Sequence, residues 1–126
     1  MHIPPIDHIR TMHFEVTEKV EFFLQPRAIN TIRVDFWVQS NSDHTAHRRS
    51  KAKPRGYDGA VIIWHFGDEE PKAPEDYRYH AMASRRPHNI IAHDSDRAKK
   101  CWVRLAWQNH RGIRGEFAQA QYAIVP

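Results

Sequence analysis

The sequence predicts an all-β fold, a seven-stranded antiparallel sandwich, on three observations. Segments with apolar residues at alternate positions recur at intervals of roughly ten to twenty residues. Pro, Gly, Asn and Asp separate them. Helix signals, an apolar stripe with caps at its ends, are poor throughout. A chain of 126 residues fits one domain and is long enough to bury a core. With 40% hydrophobic and 11% aromatic residues it is globular rather than disordered.

Residues 1–19 read as an extended lead-in, and residues 20–126 as the sandwich. Val20 to Leu24 (VEFFL) is the first strand, and QPRAIN is the turn that follows. The second strand, Ile32 to Val38, alternates: Ile32, Val34, Phe36 and Val38 face the core, while Arg33, Asp35 and Trp37 face out. HTAHRRSKAKPRG follows at 44–56, and GYDG turns the chain into the third strand, Ala60 to Phe66. That run is apolar on both faces. Its bulkier face, with Ala60, Ile62, Trp64 and Phe66, is expected inward, leaving His65 outside. Tyr77 to Ser84 is a weaker edge strand, and His88 to His93 is short. In the sixth strand Cys101, Val103, Leu105 and Trp107 point inward, alternating with Trp102, Arg104, Ala106 and Gln108. NHRGIRG (109–115) is a hairpin-type loop. Phe117 to Val125 closes the fold, with a register left open because apolar residues occur on both phases. The expected core is Ile32, Val34, Phe36, Ile62, Trp64, Val103, Leu105 and Trp107.

Composition excludes some classes. No apolar run approaches the twenty residues of a membrane-spanning helix. MHIPPIDHIR lacks an apolar core and a cleavage site, so no signal peptide is expected, which leaves the compartment open. The single cysteine, Cys101, excludes an internal disulfide and a cysteine-based zinc cluster. It falls on an inward phase and reads as structural.

Motifs for catalysis are missing. There is no Gly-rich phosphate loop and no serine in a nucleophile elbow. The ten histidines show no HExxH spacing. His44 and His47, and His88 and His93, read as surface residues. The outward pair His65 and His80 is the best metal candidate, short of the three or four ligands that zinc needs. Asp68, Glu69, Glu70, Glu75 and Asp76 cluster in one loop, without the cleft of a glycosidase or the spacing of a calcium loop. Trp37 and Trp102 lie on outward phases, each able to stack on a sugar or base, or to be covered by the chain or an oligomer contact. The expectation is a non-enzymatic protein that requires no cofactor and no metal.

The last strand pair carries a resemblance. Leu105-Ala106-Trp107-Gln108-Asn109-His110-Arg111-Gly112, then Gly115-Glu116-Phe117, resembles the end of fibronectin type III-like domains. There an alternating strand ends in Asn, a Gly-bearing loop follows, and an aromatic opens the last strand. The chain is similar to the C-terminal fibronectin-like domain of a group of uncharacterised bacterial proteins, in which a helical region precedes the sandwich. The matching stretches are Lys51-Ala52-Lys53-Pro54, Gly59 to Trp64, Gly67-Asp68, Pro74-Glu75-Asp76, Ser84 to His88 and Leu105 to Gly112, with the Arg10-Thr11 lead-in. The chain departs with Ala106 for Arg and Phe117 for Trp, and it lacks the helical region. The resemblance implies an immunoglobulin/fibronectin type III-like sandwich; the group offers no activity to carry over.

In that arrangement three connections gather at one end, and all three are basic. Arg48, Arg49, Lys51, Lys53 and Arg55 follow the second strand. Arg85 and Arg86 follow the fourth, and Arg111 and Arg114 the sixth. Together they are nine of the nineteen Lys and Arg in a chain of net charge +4. The acidic loop and the mixed HDSDRAKK turn (93–100) lie at the other end. Three readings stand. The basic pole docks an acidic protein surface or a neighbouring copy. It binds a polyanion, either nucleic acid or an acidic polysaccharide or other glycan. Or it is a solvated end with no partner.

Overall fold

The computed structural model describes residues 16–39 and 53–126. Arg48, Arg49, Lys51 and the histidine pair His44 and His47 lie outside them. Among the described residues the fold is mostly β with almost no helix, and has seven strands: β1 (Val20–Arg27), β2 (Thr31–Val38), β3 (Tyr57–Phe66), β4 (Tyr79–Ala83), β5 (His88–Ile91), β6 (Lys100–Asn109) and β7 (Gln121–Ile124). They form two antiparallel sheets, ordered β1-β2-β5 and β4-β3-β6-β7. One core joins the sheets into a sandwich. Phe22, Ile32, Val34, Phe36 and Ile90 from the first sheet pack with Ala60, Ile62, Val103, Leu105 and Trp107 from the second. The alternation of β2 is borne out residue by residue, with Ile32, Val34 and Phe36 buried between partly exposed neighbours. The alternation is one-sided because a strand sends successive side chains to opposite faces, and only one face of β2 meets the other sheet.

Trp64 departs from the expected core. It is half-buried at the margin, stacked on Tyr79 at a centroid distance of 5.8 Å and near the His88 ring at 6.2 Å. Position 64 pairs with Tyr79, the first residue of the edge strand β4. There the sheet ends, and the indole covers the rim instead of filling the centre.

The second sheet is covered on its outer face as well. Ile63 and Ala106 are buried there beneath Tyr77 and Phe117, with Val61 and Trp102 packed alongside. Trp102 is therefore no open stacking platform. Its Nε1 donates to the Gly67 carbonyl at 3.0 Å, and Tyr122 lies against its ring at 4.8 Å. Trp37 sits on the other sheet and donates to Glu21 Oε1 at 3.1 Å.

Phe117 reaches the outer face through an irregular return. Gly115 N donates to Trp107 O at 2.9 Å, and Ala118 N donates to Leu105 O at 2.7 Å. Between these bonds the returning chain uses one more residue than β6, which is a bulge. The Arg104 guanidinium spans it, donating from Nε to Ala118 O at 2.8 Å and from Nη2 to Phe117 O at 3.2 Å. The closing strand thus runs over 121–124, shorter than the expected 117–125, with Ala123 and Val125 inward.

The long edge strand β1 is protected. Gln39 N donates to Lys19 O at 2.9 Å, so by antiparallel alternation Glu21, Phe23 and Gln25 carry the ladder to β2. Val20, Phe22, Leu24 and Pro26 turn their backbone groups to the free edge. Pro26 has no N–H to offer there, and Gln121 Nε2 occupies Phe22 O at 2.7 Å. Both features discourage strand addition by another chain.

Cys101 is fully buried in the shared core. Burial pushes its thiol up to about 12, and the Asp96 carboxylate adds to the rise. The unfolded chain loses the thiol proton near the ordinary value of 9.0, while the folded protein keeps it. The folded state therefore holds the extra proton, and its stability falls as pH rises from 9 toward 12. Urea denaturation across this range should show an added slope approaching ~1.4 kcal/mol per pH unit, absent in Cys101→Ala. Identical pH profiles for the two proteins would contradict the burial of the thiol.

Candidate functional site at the basic pole

The site is assembled around the start of β3. Tyr57 pairs with Asn109, and Gly59 with Gln108, with a bulge between them. His110 N donates to Gly56 O at 3.2 Å, and His110 Nδ1 lies 2.6 Å from Asp58 Oδ1. These contacts tie the β6–β7 loop to the segment that leads into β3. On the other side Gly59 lies against Ala83 and Ser84, where the β4–β5 connection begins. Lys53 and Arg55, Arg85, and Arg111 therefore surround one short stretch, Tyr57 to Gly59.

The nine expected residues have different fates. Lys53 and Arg55 are exposed, Lys53 Nζ donating to Asp58 O at 3.3 Å. Arg85 is exposed. Arg86 instead turns inward over β2, where Nη1 reaches Phe36 O at 3.5 Å and Nε stands 4.0 Å from the Asp35 carboxylate. Arg111 sits in a loop shaped by Asn109, whose Oδ1 accepts from the backbone N–H of Arg111 and of Ile113 at 2.9 and 3.0 Å. Arg114 leans on the Phe117 ring, 4.6 Å from its centroid, on the outer face of the sheet. Arg48, Arg49 and Lys51 lie outside the described residues. The exposed charge of the described pole is thus carried by Lys53, Arg55, Arg85 and Arg111, with Arg86 and Arg114 serving the fold beside it.

The histidines and aromatics give little chemistry at this end. Burial lowers the His88 imidazole below its ordinary value, so at the start of β5 it adds no charge near neutral pH. Tyr57, the aromatic nearest the basic loops, is engaged edge-on by Trp107 at 6.4 Å. Among the described residues no three His, Cys, Asp or Glu side chains gather as metal ligands. His65 and His80 occupy diagonal positions on adjacent strands, as the register Ile63↔His80 requires.

The opposite end is mixed, and its acidity is confined to one loop. Asp68, Glu69, Glu70, Glu75 and Asp76 are exposed between β3 and β4. The β5–β6 connection balances its charges, with Lys99 Nζ 3.2 Å from Asp96 and Arg97 donating to Asn30 Oδ1 at 2.9 Å.

Sequence reasoning missed three features. The side chain of Asn109 organises the β6–β7 loop, a role its place at a strand end hinted at. Gly59 allows two loops to meet. A groove of about 640 Å³ opens beside β1, with Lys19, Phe23, Trp37, Glu116 and Gln121 in its wall; its residues come from distant segments, and no local pattern marks it. In comparisons with protein-family models, curated proteins and solved structures, none matches this chain.

Gly59 tests the convergence of the loops. A Cβ there would run into the carbonyl oxygen of Ala83, whereas a Cβ at Gly56 meets nothing within 4 Å. Gly59→Ala should lose about 3 kcal/mol in chemical denaturation, through overpacking against backbone. Gly56→Ala, at φ +86°, should lose only about 1 kcal/mol, for its backbone conformation alone. Equal losses would contradict the close approach.

Proposed function

We propose that this chain is a fibronectin type III-like interaction module, without catalysis, that docks a protein partner through the basic loops at one pole. The sheet orders β1-β2-β5 and β4-β3-β6-β7 support the fibronectin type III-like reading, together with the resemblance of residues 105–117. The observation that carries the docking reading is the convergence of Lys53, Arg55, Arg85 and Arg111 around Tyr57–Gly59. Arg55 and Arg85 are exposed and have no carboxylate partner among the described residues. Arg55 and Arg85, exposed beside an Asp58 carboxylate that His110 already engages, gain from an external anionic surface, which also speeds encounter.

A protein partner is favoured over a nucleic acid because the pole presents charge without a stacking platform. Single-stranded nucleic acid is usually gripped by aromatic rings interleaved with cations. Here Tyr57 is held by Trp107, and Trp102 is covered at the far end of the same sheet. Polyanion or glycan binding stands as the alternative.

Fluorescence anisotropy with an Asp/Glu-rich peptide and a DNA duplex of equal charge separates the two. At physiological salt the peptide should bind more tightly, and the Arg55→Glu/Arg85→Glu protein should bind it at least tenfold more weakly. Tighter binding of the duplex would favour the polyanion alternative. Binding of neither probe would remove the docking role.

A further inference from the structure

We propose that the partner received by the basic pole is the 67–76 loop of a second copy of this chain, so that copies associate head to tail. The inference rests on the reading of the basic pole as a protein-docking surface. It starts from the loop at the far end of β3. Asp68, Glu69, Glu70, Glu75 and Asp76 are all exposed, and none has an ion pair among the described residues. Lys72 is the single cation within that loop.

The loop is also held in shape. At its start Gly67 N donates to Lys100 O at 3.0 Å, while Gly67 O accepts from Trp102 Nε1 at 3.0 Å. At its end Pro74–Asp76 forms a 3₁₀ turn, with Tyr77 N donating to Pro74 O at 3.1 Å and the Tyr77 ring buried under the sheet. A surface ordered during folding loses less entropy when it binds. The nearby cations are already engaged: Arg78 lies over the Tyr79 ring at 5.6 Å, Arg97 bonds Asn30, and Lys99 pairs with Asp96.

Geometry selects the mode of association. β3 runs from the basic pole at Tyr57 to the acidic loop beyond Phe66. At ~3.3 Å per residue, its ends stand roughly 30 Å apart, about four screening lengths at physiological salt. A twofold contact through one end alone would set like charges together. A heterologous contact, basic end to acidic loop, joins opposite charges, and it leaves one free end of each kind for the next copy.

Sedimentation velocity tests this over a hundredfold concentration range, at low and high salt. The wild-type chain should gain mass with concentration at low salt and lose that gain at 0.5 M salt. Arg55→Glu/Arg85→Glu and Glu69→Lys/Glu70→Lys should each stay monomeric, with far-UV circular dichroism confirming that both fold. Mixed in equal amounts, the two variants should associate again, because each then offers what the other lacks. A wild-type chain that stays monomeric throughout, or association that survives Glu69→Lys/Glu70→Lys, overturns the self-docking inference. The peptide titration judges the pole separately: acidic-peptide binding by a monomeric protein leaves the docking reading intact and removes only the second copy.

Discussion

The fold turns on the burial of one side chain, the indole of Trp107. It is almost wholly removed from solvent. Its ring meets Phe36 of the opposite sheet edge-on at 5.9 Å, and Tyr57 at the start of β3 at 6.4 Å. Its Nε1 donates to Lys19 O at 3.1 Å, a carbonyl that also receives Gln39 N. One residue thus joins the two sheets, the entry to β1 and the end of β2. A buried indole N–H left without an acceptor would cost the desolvation of that group, so the position of Lys19 is set by the same packing that fills the core. The basic loops inherit their positions from this arrangement, because Tyr57 and Asn109 flank it.

A second constraint follows from covering the four-stranded sheet on both faces. Tyr77 and Phe117 come from loops, yet they supply the outer layer that no other sheet provides. Arg104 holds Phe117 through two backbone carbonyls, using a fixed planar fork that a lysine lacks. The loop bearing Tyr77 is the acidic loop, and the return bearing Phe117 follows the basic β6–β7 loop. The parts that complete the fold therefore also carry the surface charge, which ties the shape of both ends to the packing of the centre.

Much of this was legible in the sequence where a strand buries one face. Residues 32–38 alternate because one side meets the core, and residues 101–107 send Cys101, Val103, Leu105 and Trp107 to that core although Ala106 is buried on the outer face; both inward sets were read correctly. Legibility failed where long-range partners decide. Trp64 has the pattern of a core residue, but its strand pairs there with the first residue of a short edge strand. Phe117 changes face through a bulge, which period-two reading cannot register. Arg86 read as a free loop cation because its partner Asp35 is assigned by tertiary contact, and Arg114 because the irregular return, not strand alternation, brings it onto the ring of Phe117 three residues on. Asn30 adopts φ 61° and bonds Asp94 and Arg97, joining two distant turns that no local motif links.

The most direct test is the hydrogen exchange of the Trp107 indole N–H, followed by NMR with the Trp37 indole as an internal reference. If Trp107 joins the sheets through a buried bond to Lys19, its proton exchanges only through global unfolding and shares the protection of the β6 core amides. Exchange as fast as that of the partly exposed Trp37 indole would contradict the central role given to Trp107.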